Sequence, residues 1–199
     1  MPRFVKTYDE YDFGLTWVLD EPMQRASHAL VVDGRVWLVD PVAVDDAMER
    51  VIALGEPAGV LQLLDRHNRD CAMLAARFQV PHLKLPERVP ATPLAVISVV
   101  RLPRWKESAL WWAERKVLIV SEVVGANPMY TGGRPDAGIH PFVRALPPGS
   151  LRGYEPEHLL MGHGAPAHGP NAAEGLENAY ARSRRDIPRV LAKLPFSMR

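Results

Sequence analysis

Apolar residues fall in short continuous blocks along this chain, divided by charged, Pro- or Gly-bearing joints. The first two blocks, 29–32 and 36–39, flank Asp33-Gly34. Asp-Gly between β-formers predicts a hairpin over 28–42, because a type I′ turn needs positive φ at both central positions. Asp40-Pro41 then stops the second strand. Met48, Val51 and Ile52 recur at helical spacing in 44–54, with Asp45 or Asp46 at the start and Gly55 at the end. A buried strand is predicted at 59–64. It is followed by a helix at 71–78, where Leu74 and Phe78 lie four apart on one face until Val80-Pro81 ends it. This strand–helix–strand–helix order is that of a layered α/β protein.

The same pattern predicts strands at 94–100, 108–114 and 117–121, with Trp111 and Trp112 on opposite faces. A Gly- and Pro-rich stretch covers 125–157, with room for a short helix between Arg144 and Leu151, and a last short strand follows at 158–161. At the C-terminus Asn171 is a plausible helix cap. Leu176, Tyr180, Ile187, Val190, Leu191 and Leu194 fall near one face. Pro188 either breaks this helix or opens a second one capped by Asp186.

Composition narrows the classes. At 199 residues, with 47% hydrophobic side chains, the chain is long and apolar enough for one sizeable core. Pro is 19 of 199, about twice ordinary usage, which favours turns over long helices. Lys+Arg of 24 against Asp+Glu of 23 leaves a net charge of +1, which argues against a nucleic-acid partner. No window approaches the ~18 apolar residues of a membrane helix, and the start lacks a signal-peptide h-region. A soluble, cytoplasmic protein is therefore expected. Its single cysteine, Cys71, can form no intrachain disulfide.

Three segments together resemble a known superfamily. LLDRHNRDCAMLAARF (63–78) resembles the strand–loop–helix that carries the H-x-H-x-D-H metal motif of metallo-β-lactamase-fold proteins. KVLIVSEVVG (116–125) resembles their strand ending in a bridging carboxylate, and LLMGHGAP (159–166) their late strand followed by Gly-His-Gly. The resemblance spans about residues 15–190. It implies a single domain over 1–199, an α/β four-layer αββα sandwich of two mixed sheets flanked by helices, with a site where loops meet at the sheet edges. It also implies metal-dependent hydrolysis of esters, amides, thioesters or phosphoesters.

The motif is not intact, so the resemblance leaves the activity open. Its two leading histidines fall on Arg66 and Asn68, its acid on Asp70 and its last histidine on Cys71. The next metal histidine falls on Arg104 and the bridging acid on Glu122, while His163 is retained. Arg carries no lone pair for a metal, so a three-histidine site is not expected. The favoured expectation is a metal-free pocket in which Arg66 and Arg104 neutralise Asp70 and Glu122, serving binding or assembly, with no cofactor. One alternative is a hydrolase with one zinc, manganese or iron ion on Asp70, Cys71, Glu122 and His163, with Asp70 orienting the water. Another is a carboxylate or phosphate sensor using Arg66, Asn68 and Arg104. Asp70 also suits a helix N-cap, and His67, at the motif's spacer, is expected to be structural or surface-exposed. The partner is an unidentified small molecule or protein, and exposed edges leave room for a homodimer.

Overall fold

The computed structural model describes residues 3–197. A first sheet is built in chain order from β1 (Val5–Tyr11), β2 (Gly14–Leu19), β3 (Ala26–Val32), β4 (Arg35–Val39), β5 (Glu56–Gln62) and β6 (His82–Lys84). The first four are antiparallel, while β4–β5 and β5–β6 are parallel. Helices α1 (Asp45–Leu54) and α2 (Cys71–Phe78) make the parallel crossovers. The predicted hairpin forms as expected, with Asp33 and Gly34 at φ 49° and 76°. The β1–β2 hairpin was not predicted. VKTYDEY is a half-exposed edge strand whose charges hide its pairing, whereas β2 is buried throughout.

The second half begins with β7 (Leu94–Leu102), β8 (Trp105–Trp112), β9 (Val117–Val120) and the two-residue β10 (Val124–Gly125). Then come α3 (Pro128–Thr131), β11 (Gly138–Ile139), β12 (His158–Met161), β13 (Ala167–His168), α4 (Pro170–Arg182) and α5 (Ile187–Ser197). The second sheet has the order β13-β12-β9-β8-β7, with β12 and β9 parallel and the other pairs antiparallel. A break at residues 183–186 separates α4 from α5, which matches the second role considered for Pro188. The Leu194 side chain lies outside the described residues.

Three apolar layers hold four layers of structure together. Between the sheets, Phe13, Leu30, Trp37 and Leu61 meet Leu110, Trp112, Ile119 and Leu160. Behind the first sheet, Trp17, Val36 and Leu38 meet Met48, Val51, Cys71 and Leu74 of α1 and α2. Behind the second, Leu118, Val120, Leu159 and Met161 meet Leu176 and Tyr180 of α4. Successive side chains of β4, β9 and β12 thus enter opposite layers, both dry, which is why the sequence shows apolar blocks instead of alternation. The chain is an αββα sandwich of two mixed sheets flanked by helices. Among the described residues no helix is long and apolar enough to cross a membrane.

Candidate metal centre

The parallel pairs β4–β5 and β9–β12 send their C-terminal ends to one edge of the sandwich, the edge where parallel strands place ligand sites. Asp40 follows β4 and His67 lies in the loop after β5. Glu122 lies two residues past β9, and His163 two residues past β12. Bridges Arg25–His163 and Leu64–Glu107 tie the two sheets together there. Gly162 is required at this joint, because a Cβ on it would stand 2.1 Å from the Ser121 carbonyl oxygen. Gly164 turns the chain back at φ 88°. The Gly-His-Gly turn therefore has a steric basis.

Hydrogen-bond partners fix the tautomers of His163 and His140 and leave His67 two protonation patterns. His163 Nδ1 lies 2.9 Å from the Met23 carbonyl, which only accepts, so Nδ1 carries the proton and Nε2 keeps its lone pair. That Nε2 is buried without a hydrogen-bond partner, 3.3 Å from Glu122 Oε2. His67 Nδ1 meets Asp40 Oδ2 at 3.1 Å and its Nε2 meets Glu122 Oε2 at 2.9 Å. A proton on Nδ1, donated to Asp40, leaves the Nε2 lone pair facing the same point as that of His163. This is the carboxylate–histidine pairing that orients metal ligands. His140 is the opposite tautomer. Its Nδ1 accepts the Phe142 N–H at 3.2 Å, so Nε2–H points at Glu122 Oε1, 3.3 Å away.

Ligand atoms of His67, Glu122 and His163 lie within 4.8 Å of one another, the one such group of three among the described residues. Tetrahedral ligands at zinc's usual bond lengths stand about 3.4 Å apart. Contacts of 2.9 and 3.3 Å show a cluster already near that size. An unpartnered imidazole lone pair aimed at a carboxylate is a contact that a cation would satisfy. The residues therefore fit one ion.

Burial by itself would raise the Glu122 carboxyl, but hydrogen bonding, led by that of His140, outweighs it and holds it well below the usual carboxylate range. Burial pushes the His163 ring down, against the pull of Glu122. Glu107, on β8, accepts the Glu122 and Val123 N–H groups at 2.9 and 3.0 Å through Oε1, and the Trp105 indole N–H at 3.0 Å through Oε2. Burial lifts its pKa to about 7. Asp40 is anchored by the Leu63 N–H at 3.0 Å and by the Ser121 hydroxyl.

Of the residues singled out in the sequence, the structure brings Glu122 and His163 together, leaves Arg66 and Arg104 in the cleft beside Glu122, and places Asp70, Cys71 and Asn68 elsewhere. Asp70 Oδ2 accepts the Ala43 N–H at 2.8 Å and pairs with Arg3, and its side chain makes no cap bond to α2. Cys71 packs behind the first sheet with Leu74 and Ala75, and burial raises its thiol to about 12. Asn68 is exposed and meets Gln62 and Lys84. The Arg66 guanidinium stands 3.9 Å from Glu122 Oε1, too far for a hydrogen bond, and stacks on Trp105. Arg104 is exposed and offers its carbonyl to Arg66. Neither arginine is bonded to Asp70, whose partner is Arg3.

One register difference explains most of this. The motif alignment turns 66, 68 and 70 inward, whereas the structure turns in 67 and 69. His67 is buried, and Arg69, at φ 39°, donates to the carbonyls of Ala26, Asp40 and Gly162. The fixed cation beside the cluster is thus Arg69. His140 and Glu107 were also missed. His140 lies in coil without periodicity, but Glu107 left a signal, a lone acid within the apolar strand WKESALWW. His158 and His168 are half-buried and form a separate pair, Nδ1 to Nδ1 at 2.7 Å, with Asp9 on His168.

No family model matches the chain, and no curated protein does. Solved structures do. The DIM-1 metallo-β-lactamase exposed to ceftazidime aligns at TM-score 0.58 and 11% identity over 93% of this chain and 98% of its own. The FIM-1 metallo-β-lactamase of Pseudomonas aeruginosa, in a mono-zinc form, aligns at 0.58 and 10% over 94% and 97%. The chemotaxis sensor ODP, described with a diiron species, aligns at 0.53 and 12% over 91% and 94%. Likeness at such low identity speaks for the fold alone.

Proposed function

We propose that this chain, which has the metallo-β-lactamase fold with an incomplete ligand cluster, is a single-metal hydrolase of esters or related small acyl compounds. Its ion would be held by His67, Glu122 and His163. The observation that carries this reading is the buried His163 Nε2, a lone pair with no donor that faces a carboxylate. Two nitrogens and one oxygen suit zinc, and also manganese or iron. Three protein ligands leave a position open, as catalytic sites do. That FIM-1 was solved with one zinc supports a single-ion reading.

An ion bound there supplies a Lewis acid and lowers the pKa of water toward ~7. The chain does the rest. Asp40 holds the His67 ring in the tautomer that presents Nε2. Glu107 fixes the backbone at Glu122, and Tyr130 stacks over His163 at 5.7 Å between ring centroids. His140 steadies Glu122 Oε1 through its Nε2–H and lines the open cleft beyond it. In the reaction, water oxygen bonds to the acyl carbon as the bond to the leaving oxygen breaks, and the proton that water gives up ends on that leaving oxygen.

Metal analysis of protein purified without chelator tests this. One equivalent of zinc, manganese or iron is expected, lost in His67→Ala and His163→Ala and retained in Asp70→Ala and Cys71→Ala. Removing an ion held at a hundredfold excess over its Kd lowers stability by about 3 kcal/mol, so EDTA should lower Tm. Metal-free protein whose melting ignores EDTA would sink the proposal. That outcome favours a second reading, which rests on the contacts of His67. A doubly protonated ring satisfies Asp40 and Glu122 at once and closes the pocket without metal, for binding or assembly.

A further inference from the structure

Beyond Glu122 and His140 the edge of the sandwich opens into a cleft of about 640 Å³. One wall is Trp105, with the Arg66 guanidinium carbon 4.7 Å from its ring centroid. The rim carries Leu102, 54% exposed, and Phe142, 87% exposed, with Pro103 and Arg104 at the β7–β8 turn. Phe142 and Leu102 are among the most exposed large apolar side chains of the described residues, and both face this one cleft.

Its two arginines differ: Arg66 stands between two carboxylates, whereas Arg104 has none beside it. Arg66 donates through Nη1 to the Arg104 carbonyl at 3.2 Å, and its nearest carboxylates, Asp65 and Glu122, stand at 3.8 and 3.9 Å. These are ion-pair separations outside hydrogen-bond reach. The exposed Arg104 guanidinium has no hydrogen bond or ion pair among the described residues. With Glu122 also lining it, the cleft keeps an excess of one cation beside an apolar rim, a positive potential where a small ligand would lie.

We infer that this cleft takes a small apolar carboxylate, with its apolar arm on Leu102 and Phe142 and its carboxylate between Arg66 and Arg104. Guanidinium groups match the fork of a carboxylate. The Glu122 charge beside Arg66 penalises a dianion such as a phosphate monoester more than a monoanion. The inference rests on the hydrolase reading and gives it a substrate class. The acyl compound cleaved carries a free carboxylate a short link away from the scissile bond, because Arg66 and the ligand cluster approach the same Glu122 side chain.

Calorimetric titration with phenylacetate, phenylacetamide and phenyl phosphate tests the inference, on the full-length protein as purified and again after EDTA treatment. Phenylacetate should bind in both preparations, with phenylacetamide about tenfold weaker, the value of one charge-assisted hydrogen bond. Arg66→Gln and Arg104→Gln should each bring phenylacetate toward the amide's affinity, and Arg66→Lys should recover part of the loss. Equal affinity for acid and amide, or no effect of either Gln variant, overturns the inference. Tighter binding of phenyl phosphate overturns the choice of carboxylate. A protein that holds metal but ignores phenylacetate loses this inference alone. One that binds phenylacetate and holds no metal loses the hydrolase reading alone.

Discussion

Asp40 shows how much of this site depends on single side chains. It sits at φ 44° immediately before Pro41, a left-handed conformation that Asp tolerates better than most residues. That turn brings its carboxylate to the Leu63 N–H, the Ser121 hydroxyl and His67 Nδ1 together. Asp40→Asn preserves volume but removes the charge that holds the His67 proton on Nδ1. Loss of such an orienting carboxylate typically weakens metal affinity about 10–100-fold. Competition of the variant against a chromophoric chelator should show that drop, and wild-type affinity would mean that Asp40 does not orient His67. Neither role was visible in the sequence. Asp40 was read as the stop of a strand, and His67 as a spacer one residue out of register with the ligands.

At the scale of elements, the strand ends do the positioning. Leu118, Val120, Leu159 and Met161 pack β9 and β12 onto α4, while Ile119 and Leu160 pack them against the first sheet. Strands clamped on both faces present Glu122 and His163 with little freedom. The joint between them tolerates no side chain at Gly162. Gly162→Ala sets a Cβ against backbone, where nothing flexible can yield. Its destabilisation should reach about 3 kcal/mol or more, with loss of metal capacity, measured by urea unfolding and metal content. A variant as stable as wild type would show that the joint can shift. These strands and the Gly-His-Gly turn were legible beforehand, because apolar blocks and flanking glycines are local signals. The β1–β2 pair was not, since its edge strand carries polar residues.

The whole molecule adds a pH dependence that arises outside the ligand cluster. His28 on β3 is buried, with Nδ1 2.7 Å from Thr16 Oγ1. Burial, helped by the charge of Arg69, pushes its pKa down from 6.5 to about 3. Between those values the unfolded chain binds a proton that the folded chain refuses. The stability from a neutral His28 is complete above pH 6.5 and is lost as pH falls toward about 3. The His28→Asn variant should therefore lose Tm less steeply than wild type between about pH 7 and pH 4. Parallel Tm curves would assign the acid sensitivity to other groups.

The sequence by itself determined the local elements: which blocks become strands, where the Asp-Gly hairpin turns, which glycines flank His163, and the layered α/β order to which these lead. All of these follow from contacts and φ preferences within a few residues. Only the tertiary structure decided which side chains meet. A shift of one residue in the loop after β5 turned His67 and Arg69 inward in place of Arg66, Asn68 and Asp70. The same packing drew His140 out of coil and sent Cys71 into the layer behind the first sheet. That outcome rests on backbone partners from both sheets, Met23, Ala26, Asp40 and Gly162, which come together only when the sandwich closes.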